Sequence, residues 1–428
     1  MTQVETARAG RVSSEVEIVS RQEGVPAQTL MALVAAGKAV IPVNRRQPPV
    51  KLCGIGKGLR TKVNANIGTS PDFPEVQREL EKLDAAQSAG ADTVMDLSTG
   101  GDLRAVRRAV MEKATVPVGS VPIYEAAVTA ARRRGSVLEM TAGDMLEGLR
   151  VHIQDGVDFV TVHCGVNRRT VEILRKNPRV CGIVSRGGTF LAHWIIKNNQ
   201  ENPFYERFDE VIDMLRGEDV TLSLGDGLRP GAIADSFDAA QVEELVEMAG
   251  LARRALGAGV QVIIEGPGHV PLSQVVAQVE LEKSLTDGMP FYVLGPIVTD
   301  IAPGYDHITA GIGGAVAASA GADFICYVTP SEHLALPDAE QVREGVIAAR
   351  IAAHAGDLAK GVRGAFEMDR RMSEFRRRRD WKGQMEMALD PVHAARIRAH
   401  AESGTDDACS MCGEFCVFKI ADADRLSF

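Results

Sequence analysis

Long apolar runs are missing from this sequence. No window approaches 18 uninterrupted apolar residues, which argues against a membrane-spanning helix. The opening residues, MTQVETARAGRVSSEVEIV, carry charges throughout and no apolar stretch, so no secretory signal is expected and the protein reads as cytoplasmic. An excess of positive charge is missing too. Acidic residues number 57 against 48 basic ones, the formal charge is −9, and a pI near 5.6 disfavours a nucleic-acid partner. The one basic stretch, RRMSEFRRRR at 370–379, reads as a solvated helix face. Cysteine is too sparse for a disulfide framework, at 7 in 428 residues. Four of the seven, Cys53, Cys164, Cys181 and Cys326, lie in or beside apolar runs and read as small buried hydrophobes. No G-x-G-x-x-G follows a first strand, which weakens a dinucleotide-binding reading.

What is present is the composition of a globular protein, 45% hydrophobic and 25% charged. A chain of this length can bury a core without disulfides or a structural metal. Residues 1–60 read as a small N-terminal domain, mostly helical, ending in the linker PPVKLCGIGKG. From residue 61 to about 340, short apolar runs alternate with amphipathic helical patterns. The runs are KVNANIG, DTVMDLSTG, VPVGSVPIY, FVTVHCG, CGIVSRGG, TLSLGDGLRPG, VQVIIEGPGH, FYVLGPIVTD and DFICYVTP. Strands buried on both faces read this way, and their alternation with helices predicts a parallel sheet. About eight such units predict an α/β fold, a (β/α)₈ barrel of the TIM type. Nine candidate runs are one too many, so one of them is a loop or an extra strand. An open doubly wound sheet is the alternative. Residues 341–400 read as a C-terminal helical domain. The polar stretch ESGTDDA then reads as a flexible linker to a tail within 401–428.

Barrel active sites lie where the strands end, and polar residues cluster there in this sequence. Asn64 and Asn66 end the first run; Asp96 and Ser98 end the second. Tyr124, His163, Ser185 with Arg186, Asp226 with Arg229, and Glu265 with His269 follow in turn. One such residue is a capping group, whereas seven successive ends describe a site. Three of these ends, SRGG, GDGLRPG and EGPGH, are glycine-rich, and two of them pair Gly with Arg. That combination suits the phosphate of a small molecule. His269 and His333 each fall in a loop after an apolar run, and the residues alone allow either two metal ligands or two hydrogen-bonding histidines. His307 and His354 add to the ambiguity, although His354 sits in a helical pattern and reads as structural.

Cys409, Cys412 and Cys416 stand in C-x₂-C-x₃-C spacing near the C-terminus. Close thiols inside a cell point to metal rather than a disulfide. A structural zinc site takes four protein ligands, and the nearest upstream histidine, His400, is too far to be an obvious fourth. Three thiolates suit a [4Fe–4S] cluster with one open iron, to which S-adenosylmethionine (SAM) can bind. Zinc and redox-active thiols are the other readings.

The stretches NANIGTS, DTVMDLSTGGD, VPIYEA, HCGV, GIVSRGG, SLGDGLRPG, EGPGHVP, TDIAPGYDHIT, CYVTPSEHL and CSMCGEFC together resemble the phosphomethylpyrimidine synthase family. The likeness runs in order from about residue 25 to the end. This family is a branch of the radical SAM enzymes with its cluster motif at the C-terminus. The resemblance implies a (β/α)₈ barrel with an N-terminal and a C-terminal helical domain. It also implies a radical SAM carbon–carbon lyase of thiamin biosynthesis. Such an enzyme turns 5-aminoimidazole ribotide into 4-amino-5-hydroxymethyl-2-methylpyrimidine phosphate. The cofactors would be a [4Fe–4S] cluster, SAM and a divalent metal, zinc. The partners would be the ribotide, an external electron donor and a second copy of the chain. The tail of one subunit would then close as a lid over the barrel of the other.

By matching motif, the ribotide contacts would be Asn66, Met95, Tyr124, His163, Ser185, Arg186, Gly187, Asp226, Gly227, Leu228, Arg229, Glu265 and Tyr292. Glu265 and His163 would also transfer protons. His269 and His333 would hold the metal, and Cys409, Cys412 and Cys416 the cluster. One departure stands out: the familiar form of the motif has four residues between the second and third cysteines, and this chain has three. A close paralogue, 5-hydroxybenzimidazole synthase of cobalamin biosynthesis, uses the same ribotide, SAM and cluster, so the shared motifs do not separate the two. A non-catalytic iron–sulfur or zinc sensor is the reading from another class, and the polar strand ends argue against it.

Overall fold

The computed structural model describes residues 1–399 and 408–423. Most of the linker read at 402–408, and the last five residues of the tail, lie outside the described residues. Those described fall into two compact units, Met1–Lys360 and a second beginning at Gly361.

Eight parallel strands close a barrel in the first unit. In chain order they are β1 (Lys62–Ile67), β2 (Thr93–Asp96), β3 (Val118–Ser120), β4 (Phe159–Val162), β5 (Thr221–Leu224), β6 (Val262–Gly266), β7 (Phe291–Leu294) and β8 (Phe324–Cys326). Each pairs with the next, and β8 pairs with β1 in the register Phe324↔Lys62. Nearly every strand residue is buried, because helices cover the outside and side chains fill the inside. Glycines make room for the large rings. A Cβ at Gly119 would sit 2.3 Å from the Phe159 ring, and one at Gly266 would sit 2.2 Å from the Phe291 ring. Tyr292 stacks on its register partner Phe324 at 4.2 Å between centroids.

The surplus run is the fifth, CGIVSRGG, which is not a strand, while the ninth, DFICYVTP, supplies β8. The backbone at the entry to CGIVSRGG is bonded elsewhere: Asp235 accepts from Val180, just before the run, at 2.7 Å and from Cys181 at 2.9 Å. Ser185 then caps the helix Arg186–Asn198, its Oγ accepting the Gly188 N–H at 3.1 Å. Cys181 is therefore exposed, against the expectation of a buried hydrophobe, while Cys53, Cys164 and Cys326 are buried.

Helices Gln3–Arg8, Ser14–Glu23 and Ala27–Ala35 gather their own apolar cluster around Val16, Val19, Leu30 and Val34. This layer is pinned to the N-terminal end of the barrel. Ile41 N–H donates to Gln261 (2.7 Å), Asn44 N–H to Asp158 (3.0 Å), and Gln3 N–H to Asp219 (2.9 Å). The helix after β8, Ala339–Lys360, packs beside β1, and its Asp357 accepts the Thr61 N–H at 2.9 Å.

The second unit holds helices Ala365–Arg378, Trp381–Met387, Pro391–Ala399 and Val417–Ala423, with a short turn at Gly413–Phe415. The basic run is partly paired. Arg370 meets Glu367 at 2.7 Å, and Arg377 and Arg379 both meet Asp422 at 2.8 Å. Among the described residues no helix is long and apolar enough to cross a membrane.

Candidate active site

A chamber of about 470 Å³ opens at the C-terminal ends of the strands. Asn66 of β1, Met95 of β2, Glu265 of β6, Tyr292 of β7 and Cys326 of β8 line it. Tyr124, in the first turn of helix Pro122–Arg134, His163 just past β4, and Asp226 and Arg229 just past β5 complete the wall. Eight of the residues carried over from the family motifs thus meet in one chamber.

Alternation along the strands explains how Glu265 is held. Thr161, Ser223 and Glu265 sit on adjacent strands facing inward. The Glu265 Oε1 accepts from Thr161 Oγ1 at 2.7 Å and Ser223 Oγ at 2.8 Å. Burial pushes its carboxyl above the usual range, against the pull of these two hydroxyls and of Arg229. Neither hydroxyl was singled out from the sequence. The signal was there, since Thr161 is the single polar residue of FVTV and Ser223 is the polar residue set between the two leucines of TLSL.

A second network crosses from β1 to β7 and β8. Asn64 Nδ2 donates to the Tyr292 hydroxyl (2.7 Å) and to Asn66 Oδ1 (2.8 Å), and Asn66 Nδ2 lies 3.1 Å from Cys326 Sγ. Burial pushes the Cys326 thiol up to about 12 and the Tyr292 phenol well above its ordinary value, so both keep their protons. Cys326 is thus a wall residue of the chamber, beyond its reading as a buried hydrophobe.

His163 is buried, and its Nε2 lies 3.3 Å from Ser185 Oγ. Burial first, and then the Arg229 charge, lowers its pKa to about 3, so the ring is neutral. A Cβ at Gly187 would lie 2.3 Å from this ring and one at Gly225 would lie 2.9 Å from it, which is why the flanking loops are glycine there. Arg229 pairs with Asp226 at 3.2 Å. Burial drives the Asp226 carboxyl far above its usual value despite that pairing. Two polar atoms of the chamber residues, His163 Nδ1 and Asp226 Oδ2, are buried without a partner. Such atoms are rare and costly, and a bound ligand can satisfy them.

Ser185, Arg186, Gly187, Gly227 and Leu228 lie behind or beside this wall rather than in it. The Arg186 guanidinium sits 4.9 Å from the Tyr124 ring centre. The two Gly/Arg loops touch backbone to backbone, since a Cβ at Gly188 would fall 1.9 Å from the Gly227 carbonyl oxygen. Asn66 and Leu97 also border a wider cavity of about 1270 Å³, which Arg186, Lys82 and Tyr327 help to line. Asp96 and Ser98 do not join the site as their strand-end position suggested. Asp96 Oδ1 accepts the Ser98 N–H at 3.0 Å, and Ser98 Oγ accepts the Thr69 N–H at 3.0 Å, so the pair braces a turn.

His269 and His333 come together with ring centroids 5.1 Å apart. The Nδ1 of His269 lies 2.7 Å from Asp300, and the Nδ1 of His333 lies 3.2 Å from Asp306. Carboxylates at Nδ1 orient both rings and leave each Nε2 for a ligand, the usual outer arrangement around a histidine-bound metal. The two residues fit a metal in that respect. The aspartates lie 31 and 27 positions from their histidines, out of reach of spacing arguments. His307 is separate, with its Nδ1 buried and unpartnered, and His354 sits in the helix Ala339–Lys360. Among the described residues no group of three His, Cys, Asp or Glu side chains closes around a single ion position.

The three tail cysteines are free thiols on one turn, with Cys416 buried and the other two half-buried. Backbone N–H groups of Cys412 and Met411 point at the Cys409 sulfur and lower its pKa, which favours the thiolate a metal centre needs. Gly413 takes φ +50°, letting the chain turn back between the second and third thiols. This donor set fits an iron–sulfur cluster.

The fold and the site define a (β/α)₈ barrel with a polar small-molecule chamber at the carboxyl ends of its strands. Comparison with known proteins is more specific. The profile described as the radical SAM ThiC family matches residues 2–423. Phosphomethylpyrimidine synthase of Moorella thermoacetica is 56% identical over 420 residues, covering 98% of this chain and 97% of its own. That of Dehalococcoides mccartyi is 55% identical over 422 residues, covering 99% and 98%. That of Geobacter metallireducens is 53% identical over 422 residues, covering 98% and 97%. The chain belongs to the radical SAM ThiC family, whose enzymes use a [4Fe–4S] cluster and SAM.

Proposed function

We propose that this protein is a phosphomethylpyrimidine synthase, forming 4-amino-5-hydroxymethyl-2-methylpyrimidine phosphate from 5-aminoimidazole ribotide as a carbon–carbon lyase of thiamin biosynthesis. One observation carries the reading. Eight of the thirteen residues the family motifs assign to the ribotide line a single chamber with two orphaned buried polar atoms. Relatives of that name at more than half identity over nearly the whole chain support it. Arg186 and Arg229 hold the ribotide phosphate by charge-assisted hydrogen bonds. The neutral His163 takes or gives a proton at Nδ1, and Glu265 does so at its carboxyl. Closure of the tail over the open chamber would exclude water from the site. Cys409, Cys412 and Cys416 hold the cluster, which with SAM supplies a 5′-deoxyadenosyl radical when bound. His269 and His333 hold a divalent metal, zinc, through Nε2.

The protein works in the cytoplasm as a homodimer, with an external one-electron donor and with the tail of one subunit over the barrel of its partner. The resemblance supports the donor, the dimer and the closing tail. The test is an anaerobic assay of reconstituted protein with ribotide, SAM and reductant, the products identified by mass. The pyrimidine phosphate with 5′-deoxyadenosine upholds the reading. A benzimidazole product replaces it with the cobalamin-precursor activity. No deoxyadenosine overturns both. Cys409→Ala removes SAM cleavage while ribotide binding and thermal stability stay near wild type; retained turnover would overturn the cluster assignment.

A further inference from the structure

Against the loop that carries Asp226 and Arg229 lies a carboxyl group with no role so far. Glu244, on helix Ala239–Gly257, is only 1% exposed. Its Oε2 accepts the Leu228 N–H at 2.7 Å, while its Oε1 has no partner. A Cβ at Gly227 would lie 3.2 Å from that Oε1, and one at Gly165 would lie 2.8 Å from Glu244 Cγ, so backbone closes around the side chain on two sides. Gly227 is itself wedged between Val166 and Gly188. Gly188 belongs to the first turn of the helix that begins at Arg186.

We propose that Glu244 is a positioning residue. By accepting the Leu228 N–H it fixes loop 226–229, and through the Gly227–Gly188 contact it sets Arg229 against the helix that bears Arg186. The two arginines then take one phosphate together. This inference rests on the ribotide reading above. The protonation of Glu244 is consistent with it. Burial pushes its pKa up to about 8, opposed by the Leu228 and Gly227 N–H groups and by Arg179 and Arg229. A neutral carboxyl still accepts the N–H and leaves the charge of Arg229 uncancelled.

Glu244→Met keeps the volume and removes the acceptor; Glu244→Gln keeps the acceptor. Cluster-free protein is titrated with 5-aminoimidazole ribotide by calorimetry, and amide exchange is followed over 226–229. The Met variant is expected to bind about tenfold more weakly and to exchange faster at Leu228, since a buried N–H loses its partner. The Gln variant is expected to stay within about twofold of wild type. Unchanged affinity or exchange in the Met variant overturns the proposal, as does a Gln variant as weak as Met. Should the Met variant not fold, Glu244→Asp, whose shorter arm draws back from Leu228, takes its place. A wild-type protein that ignores the ribotide sinks the functional reading instead, and the exchange at Leu228 still decides the brace.

Discussion

The two ends of the barrel are both rich in buried polar groups, and they treat them in opposite ways. At the N-terminal end, carboxyls take the N–H groups of entering strands. Asp92 accepts from Val63 (2.9 Å), Asp158 from Val118 (2.8 Å) and Asn44 (3.0 Å), Asp323 from Phe291 (3.0 Å), and Asp357 from Thr61 (2.9 Å). At the C-terminal end His163 Nδ1, Asp226 Oδ2 and Glu244 Oε1 are buried with no partner. Each unmade bond of this kind costs about 1–3 kcal/mol. A fold tolerates that cost where a ligand later supplies the partner. The N-terminal end has an orphaned atom too, Gln3 Oε1, but its carboxyls tie strands together, whereas His163 Nδ1 and Asp226 Oδ2 belong to residues that line the chamber.

The strongest way to break this contrast is at Glu265. Glu265→Ala is expected to lower product formation by about a thousandfold, the scale of a lost proton-transfer group. Its melting temperature should fall only slightly, because the hydroxyls of Thr161 and Ser223 that lose their acceptor can rotate, and Thr161 borders the open chamber where water can replace the carboxyl. Calorimetry beside the turnover assay checks this, and a large drop in melting temperature would make Glu265 a structural residue like those at the other end. Asp158→Ala is expected to behave in the reverse sense. Two buried N–H groups lose their acceptor, so the unfolding free energy should fall by about 3 kcal/mol in a denaturant titration. Ribotide affinity of the folded protein should stay within about twofold. Weakened binding at unchanged stability would erase the division between the ends.

The same contrast explains what could be read without coordinates. The barrel was legible because strands covered on both faces leave short apolar runs between amphipathic helices. The run CGIVSRGG misled for the same reason: periodicity cannot tell a buried strand from an apolar loop entering a helix. Only the acceptors on Asp235 decide it, and they lie more than fifty residues away. The chamber residues were legible through long motifs and through their place at strand ends. Asp96 and Ser98 share that place yet bond locally, since position alone does not say whether a side chain turns inward or caps its own turn. Thr161 and Ser223 announced themselves only as polar letters in apolar runs. Asp300, Asp306 and Glu244 act through another residue, so neither spacing nor composition could single them out.

Acid should sharpen the contrast most gently, through two buried histidines. His152 is fully engaged: Ser120 Oγ lies 2.7 Å from its Nδ1, and Arg107 (2.8 Å) and Glu125 (3.0 Å) lie at its Nε2. His163 has its Nδ1 unpaired. Burial is the first cause of the lowered value in both, to about 4 in His152 with Arg107 adding to it, and to about 3 in His163. In the unfolded chain each takes a proton near pH 6.5. Between those values the unfolded state binds more protons than the folded one, so stability rises with pH there. The contribution is therefore present above about 6.5 and is lost as pH falls toward 4 and then 3. Neither ring should titrate between pH 8 and 5 by nitrogen-edited magnetic resonance, and His163→Gln should flatten part of the acid loss. Ribotide should shift the Nδ1 signal of His163 and leave that of His152 in place. A His163 ring that titrates near 6.5, or a ribotide shift at His152 alone, would mean that the unpaired atom is not where the ligand arrives.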